Sequence, residues 1–99
     1  MLRSAQLRVY AGWQGQVEDP RMQCFLVQFR CELGHAYDVA EALSDTELAS
    51  EIYSTSGDWD LMAKFYVDED VDIGRFVNKN LHGIPGIERT LTTLTFKAF

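Results

Sequence analysis

Asp58 and Asp60 stand two residues apart in the stretch STSGDWDL, residues 54 to 61, directly after Gly57. Two carboxylates at that spacing share a face if both lie in a strand, and need not if Asp58 belongs to a turn. Paired carboxylates do acid–base work when their surroundings drive their pKa values apart. That chemistry needs further parts, and the sequence has no third acid or histidine at a defined spacing and no nucleophile elbow. The stretch can be an ordinary tight turn, a catalytic or metal-binding pair, or the rim of a pocket that takes a small molecule. Asp58 reads as a turn residue. Asp60 points away from Trp59 at the mouth of the strand that follows, where it either bonds N–H groups of its own turn or faces a ligand.

Other residues with chemical potential yield less. Asp68, Glu69, Asp70 and Asp72 invite a calcium reading. An EF-hand loop needs glycine at its sixth position and glutamate at its twelfth. Counted from Asp68 those places hold Ile73 and Lys79, so the run reads as a solvated helix start. His35 and His82 are the two imidazoles, and neither has a metal spacing. His82 falls at a helix C-terminus, where a cation is favoured. Cys24 and Cys31 fall in one strand at an odd separation, so they face opposite sides. Seven strand residues span about 23 Å, too far for a bridge between them. They read as reduced, half-buried thiols. Thr90, Thr92, Thr93 and Thr95 fit strand propensity. Thr90 and Thr92 nonetheless share a face, and such hydroxyls can grip an amino or carboxylate group. Free N–H groups in the turn before Trp59 can hold a carboxylate.

The elements that must position these residues are readable from periodicity. MQCFLVQFRC, 22 to 31, is a strand with Phe25, Val27, Phe29 and Cys31 on one face and Cys24 and Leu26 on the other. Apolar residues on both faces predict a central, covered strand. Ala36, Val39, Ala40 and Leu43 form the stripe of a short helix that ends at Ser44 and Asp45. ELASEIYST is a second strand and WDLMAKFYV a third, joined by a hairpin in which Gly57 supplies positive φ. In the third strand Trp59, Leu61, Ala63, Phe65 and Val67 share one face. Ile73, Phe76, Val77 and Leu81 form the stripe of a second helix, with Gly83 as its C′ residue and Pro85 blocking continuation. IERTLTTLTFKAF is a final strand. Strand, helix, strand, strand, helix, strand predicts an α+β, ferredoxin-like βαββαβ fold: one four-stranded antiparallel sheet with both helices on one face. The other sheet face then needs a cover; a second copy of the chain is the expected one, and the N-terminal segment is the lesser alternative.

Ninety-nine residues make one domain, in which folding buries about 60–70% of the unfolded surface. Residues 1–21 stand apart as an N-terminal extension, an arm or an extra strand with alternating Leu7, Val9, Ala11 and Trp13. Residues 22–99 form the domain proper, and Met22 can itself serve as a start. Fifteen acids against 9 bases give a net charge of −6 with no basic cluster, so direct DNA binding by this chain is not expected. No run reaches the length of a membrane span and no leader pattern opens the chain, which makes the cytosol the expected compartment.

STSGDWDL resembles the Gly-x-aromatic-Asp signature that opens the third strand of the effector domain of Lrp/AsnC regulators. LHGIPGIERTLTTLTF resembles the closing Pro-Gly…Thr stretch of the same domain. Gly57, Asp60, Pro85, Gly86 and Thr92 match, and Asp58 and Trp59 fill variable and aromatic positions. The resemblance covers residues 22 to 99. It implies a dimeric α+β barrel that associates further, up to octameric rings, and binds an amino acid or related small effector between dimers, without a cofactor. The implied effector residues are Ser56, Gly57, Asp58, Trp59, Asp60, Thr90 and Thr92. Full-length relatives also carry a helix-turn-helix domain, which 21 strand-like residues cannot supply. The chain is therefore expected to be a stand-alone effector domain that regulates transcription by assembling with itself or with full-length relatives. Two alternatives remain: a cofactor-free monooxygenase or isomerase of the same barrel type using Trp59, His35, Tyr37 and Tyr66, or a purely structural assembly module.

Overall fold

The alternation of Phe25, Val27 and Phe29 is realised in β1, Met22–Cys31, where all three are fully buried. The computed structural model describes residues 21–97 and 99. The expected N-terminal extension lies outside these residues, apart from Arg21. After β1 come α1 (Ala36–Thr46), β2 (Glu51–Ser54), β3 (Leu61–Asp68), α2 (Ile73–Asn80) and β4 (Ile87–Leu94). The strands form one sheet in the order β2-β3-β1-β4, and every neighbouring pair is antiparallel. This is the ferredoxin-like βαββαβ arrangement.

The buried side of β1 and β3 meets both helices. Val39 and Leu43 of α1 and Val77 of α2 join Phe25, Val27, Phe29, Leu61, Ala63 and Phe65 in one core. Phe25 and Phe65 stack at 5.1 Å, and Phe76 meets them edge-on at 5.7 and 5.8 Å. Each fully buried large side chain contributes about 1.5–3 kcal/mol. Cys31 joins the core, Cys24 is half-buried on the opposite face, and both are free thiols. Burial pushes both thiols above their ordinary pKa. The opposite face carries Leu26, Met62, Tyr66 and Leu91 among Gln28, Lys64 and Thr93. Among the described residues no second layer covers it.

Several boundaries differ from expectation. α1 runs on to Thr46 and is closed by Glu47, which takes left-handed φ (59°) and donates its N–H to Ser44. That cap removes the front of the expected second strand, leaving β2 with four residues. The acid run splits: Asp68 closes β3, and Asp72 caps α2 by accepting the Arg75 N–H at 3.1 Å. Gln23 Nε2 donates to the carbonyls of Asp68, Glu69 and Val71, which pins the turn between them. Gly83 is not the left-handed closing residue. α2 ends at Leu81 in right-handed conformation, and among the described residues the left-handed glycines are Gly34, Gly57 and Gly86. Among the described residues no helix is long and apolar enough to cross a membrane.

Candidate functional site

β2 and β3 are joined by residues 55–60, and the turn is held at its base. Thr55 donates its N–H to the Asp60 carbonyl at 2.9 Å and its hydroxyl to the Trp59 carbonyl at 2.8 Å. These bonds take Trp59 and Asp60 into the turn, so β3 begins at Leu61 and the expected alternation stops short of Trp59. Gly57 has φ +95°, the left-handed value its sequence position predicts. Among the described residues the N–H groups of Gly57 and Asp58 meet no acceptor.

Bonds to neighbouring strands fix the turn in place. Asp60 donates its N–H to the Phe29 carbonyl, and its Oδ2 accepts the Cys31 N–H at 2.8 Å. Asp60 thus reaches β1 and not an N–H of its own turn. Burial raises the Cys31 thiol pKa, and the neighbouring Asp60 carboxylate adds to the shift. Arg30 donates Nη1 to the Asp58 carbonyl at 3.1 Å and pairs with Glu88 at 3.5 Å. Trp59 lies under the Arg89 guanidinium at 5.2 Å. Arg89 and Arg30 are cross-strand neighbours, and the β1–β4 register shifts just beyond them.

Together these contacts form an open cleft of about 310 Å³ at the end of the sheet, lined by Arg30, Glu32, Gly57, Asp58, Asp60 and Glu88, among others. Gly86 anchors the Glu32 wall. Its carbonyl accepts the Glu32 N–H, and a side chain at Gly86 would sit 3.0 Å from Val39 and 3.2 Å from His35. The chemistry on offer is hydrogen bonding and charge: unpaired N–H donors, a carboxylate on the turn, and a guanidinium already engaged. Among the described residues no group of three or more His, Cys, Asp or Glu side chains could hold a metal ion.

The structure therefore brings Gly57, Asp58 and Asp60 together in one cleft, with Ser56 exposed beside them and Trp59 turned to Arg89. Thr90 and Thr92 sit elsewhere in the protomer. They pair with Phe29 and Val27 on the helix-bearing side, and the Thr90 hydroxyl lies 3.2 Å from His82 Nε2. Sequence reasoning missed Arg30, Glu32 and Glu88. A cation on β1 facing acids on the closing strand was the available signal, but the cross-strand register was needed to read it. Residues of the alternative enzyme reading are scattered: Tyr66 is on the sheet face away from the helices, and Tyr37 and His35 are exposed at the start of α1. The space between helices and sheet holds the stacked phenylalanines.

Among solved structures the chain is similar to TTHA0845 from Thermus thermophilus, with 26% identity and a TM-score of 0.70 over 78% of this chain and 96% of that one. It is similar to E. coli AsnC, with 18% identity and a TM-score of 0.63 over 97% of this chain and 67% of that one. It is also similar to the transcriptional regulator NMB0573 of Neisseria meningitidis, solved as an L-Met complex, with 12% identity and a TM-score of 0.70 over 96% and 67%. The last two likenesses show the fold alone. No curated protein matches the sequence. Residues 24–99 match the family described as the Lrp/AsnC ligand binding domain, and the chain belongs to that family.

Proposed function

We infer that the chain binds an amino acid or related small effector at the 55–60 turn and regulates transcription through effector-dependent assembly, with itself or with full-length relatives. The observation that carries this reading is the turn itself. Unpaired N–H groups at Gly57 and Asp58 stand beside a carboxylate in an open cleft, which complements both ends of an α-amino acid. Family membership supports it, as does the related regulator solved with L-Met. Residues 22–99 form the binding unit and residues 1–21 its extension. Ser56, Gly57, Asp58, Trp59 and Asp60 come from one protomer, and Thr90 and Thr92 would join from a neighbouring copy. Assembly responds to the effector only if the assembly states differ in affinity for it.

The test is a thermal-shift screen of the twenty amino acids with native mass recorded at each addition. A ligand at 100 times its Kd stabilises the folded state by about 2.7 kcal/mol. A stabilising amino acid that also changes the mass distribution is the expected result. An assembled, stable protein that responds to none of the twenty would overturn the amino-acid reading in favour of a purely structural module.

A further inference from the structure

We propose that the two carboxylates of the turn divide the work: Asp60 is a positioning residue that fixes the turn, and Asp58 is the group that meets the ammonium of a bound amino acid. The proposal rests on the effector reading above and assigns roles within that site.

Asp60 is held at three points. Its N–H goes to Phe29, its carbonyl takes the Thr55 N–H, and its Oδ2 takes the Cys31 N–H. The last bond has a structural cause. The β1–β3 ladder ends at the Phe29–Leu61 pair, so two residues further along β1 no strand carbonyl is left for Cys31. The Asp60 carboxylate stands in for it. A partly buried N–H without an acceptor is costly, so this bond persists when the cleft fills. One oxygen of the Asp60 carboxylate, Oδ2, is thereby engaged by the protein.

Asp58 is the reverse case. Its carbonyl is anchored by Arg30, while its side chain is exposed at the cleft and, among the described residues, has no partner. Arg30 does not cancel its charge, because the guanidinium is shared between that carbonyl and Glu88. The turn thus presents an anchored backbone with a free negative charge beside the Gly57 N–H. A ligand ammonium on Asp58 and a ligand carboxylate on the N–H groups use both.

The assignment is tested by replacing charge without replacing shape. Wild type, Asp58→Asn, Asp60→Asn and Asp60→Ala are titrated by calorimetry with whichever of the twenty amino acids most stabilises the wild type, and amide exchange is followed at Cys31. Asp58→Asn should weaken binding about tenfold or more, the scale of a charge-assisted hydrogen bond. Asp60→Asn keeps an acceptor oxygen and should bind within about threefold of wild type, with Cys31 still protected; Asp60→Ala should lose that protection and weaken binding. The opposite order, with Asp60→Asn crippled and Asp58→Asn unaffected, overturns the division of labour and leaves the effector reading standing. If no amino acid stabilises the wild type, the effector reading and the Asp58 role fall together. Unchanged Cys31 exchange in Asp60→Ala overturns the positioning role.

Discussion

At the scale of single residues, Gly57 and Gly86 carry the same left-handed backbone for different reasons. A Cβ on Gly57 would meet nothing within 4 Å, so any cost of a side chain there is in the backbone alone. Gly57→Ala should destabilise by about 1–2 kcal/mol. Gly57→Val should cost somewhat more, about 1–3 kcal/mol, because a β-branched residue at positive φ is a genuine outlier. Gly86→Ala adds contact with Val39 and His35 to the same strain and should cost more than Gly57→Ala. Urea midpoints of the three variants rank these costs. A Gly57→Val protein with the wild-type midpoint would show that the turn does not hold residue 57 in this conformation. The residue scale also separates the two aspartates: what distinguishes Asp58 from Asp60 is not exposure alone but which of their atoms the protein has already engaged.

At the scale of elements, the two central strands hold the molecule together. Phe65 of β3 stacks on Phe25 of β1, and Phe76 of α2 closes on both, so one ring joins two strands and a helix. Phe65→Ala should cost about 3–5 kcal/mol, against less than about 0.5 kcal/mol for the exposed Tyr53→Ala on edge strand β2. Equal denaturation midpoints for the two would contradict the placement of this core. The same strands explain what was legible in the sequence. β1 and the faces of β3 follow from strict alternation, because a buried face permits one residue in two to be polar and no more. β2 was legible only in outline, since its exposed face imposes no pattern and Glu47 closes α1 without the glycine that normally announces such a cap. For the site, Gly57 was legible because positive φ restricts residue type. The partner of Asp60 was not, because Cys31 lies 29 residues away and meets it only through the point at which the β1–β3 ladder stops. Thr90 and Thr92 sit on the helix-bearing side because β4 pairs with β1 in a register the Thr pattern alone does not determine.

At the scale of the whole molecule, the open sheet face is the surface through which we propose that copies of the chain pack. Leu26, Met62 and Tyr66 lie at its centre, and Leu91 of β4 is 47% exposed beside Gln28. A face this mixed can be wetted in a monomer, yet it presents enough apolar surface to gain from a partner. Assembly must also overcome repulsion between chains of net charge −6, so it needs a local apolar contact rather than long-range attraction. Leu91 is the cleanest probe of that contact, because its exposure makes a substitution nearly neutral within the protomer. Leu91→Asp adds a like charge within the contact of any face-to-face pair and should shift the mass distribution in native mass spectrometry and sedimentation toward monomer, with an unchanged circular dichroism spectrum. Leu33→Asp is the matched control: Leu33 is fully exposed, lies at the cleft rather than on the sheet, and should leave assembly through the sheet intact. If Leu33→Asp dissociates the assembly while Leu91→Asp does not, the contact between copies runs through the cleft end of the molecule, and the sheet face is covered by something other than a second copy.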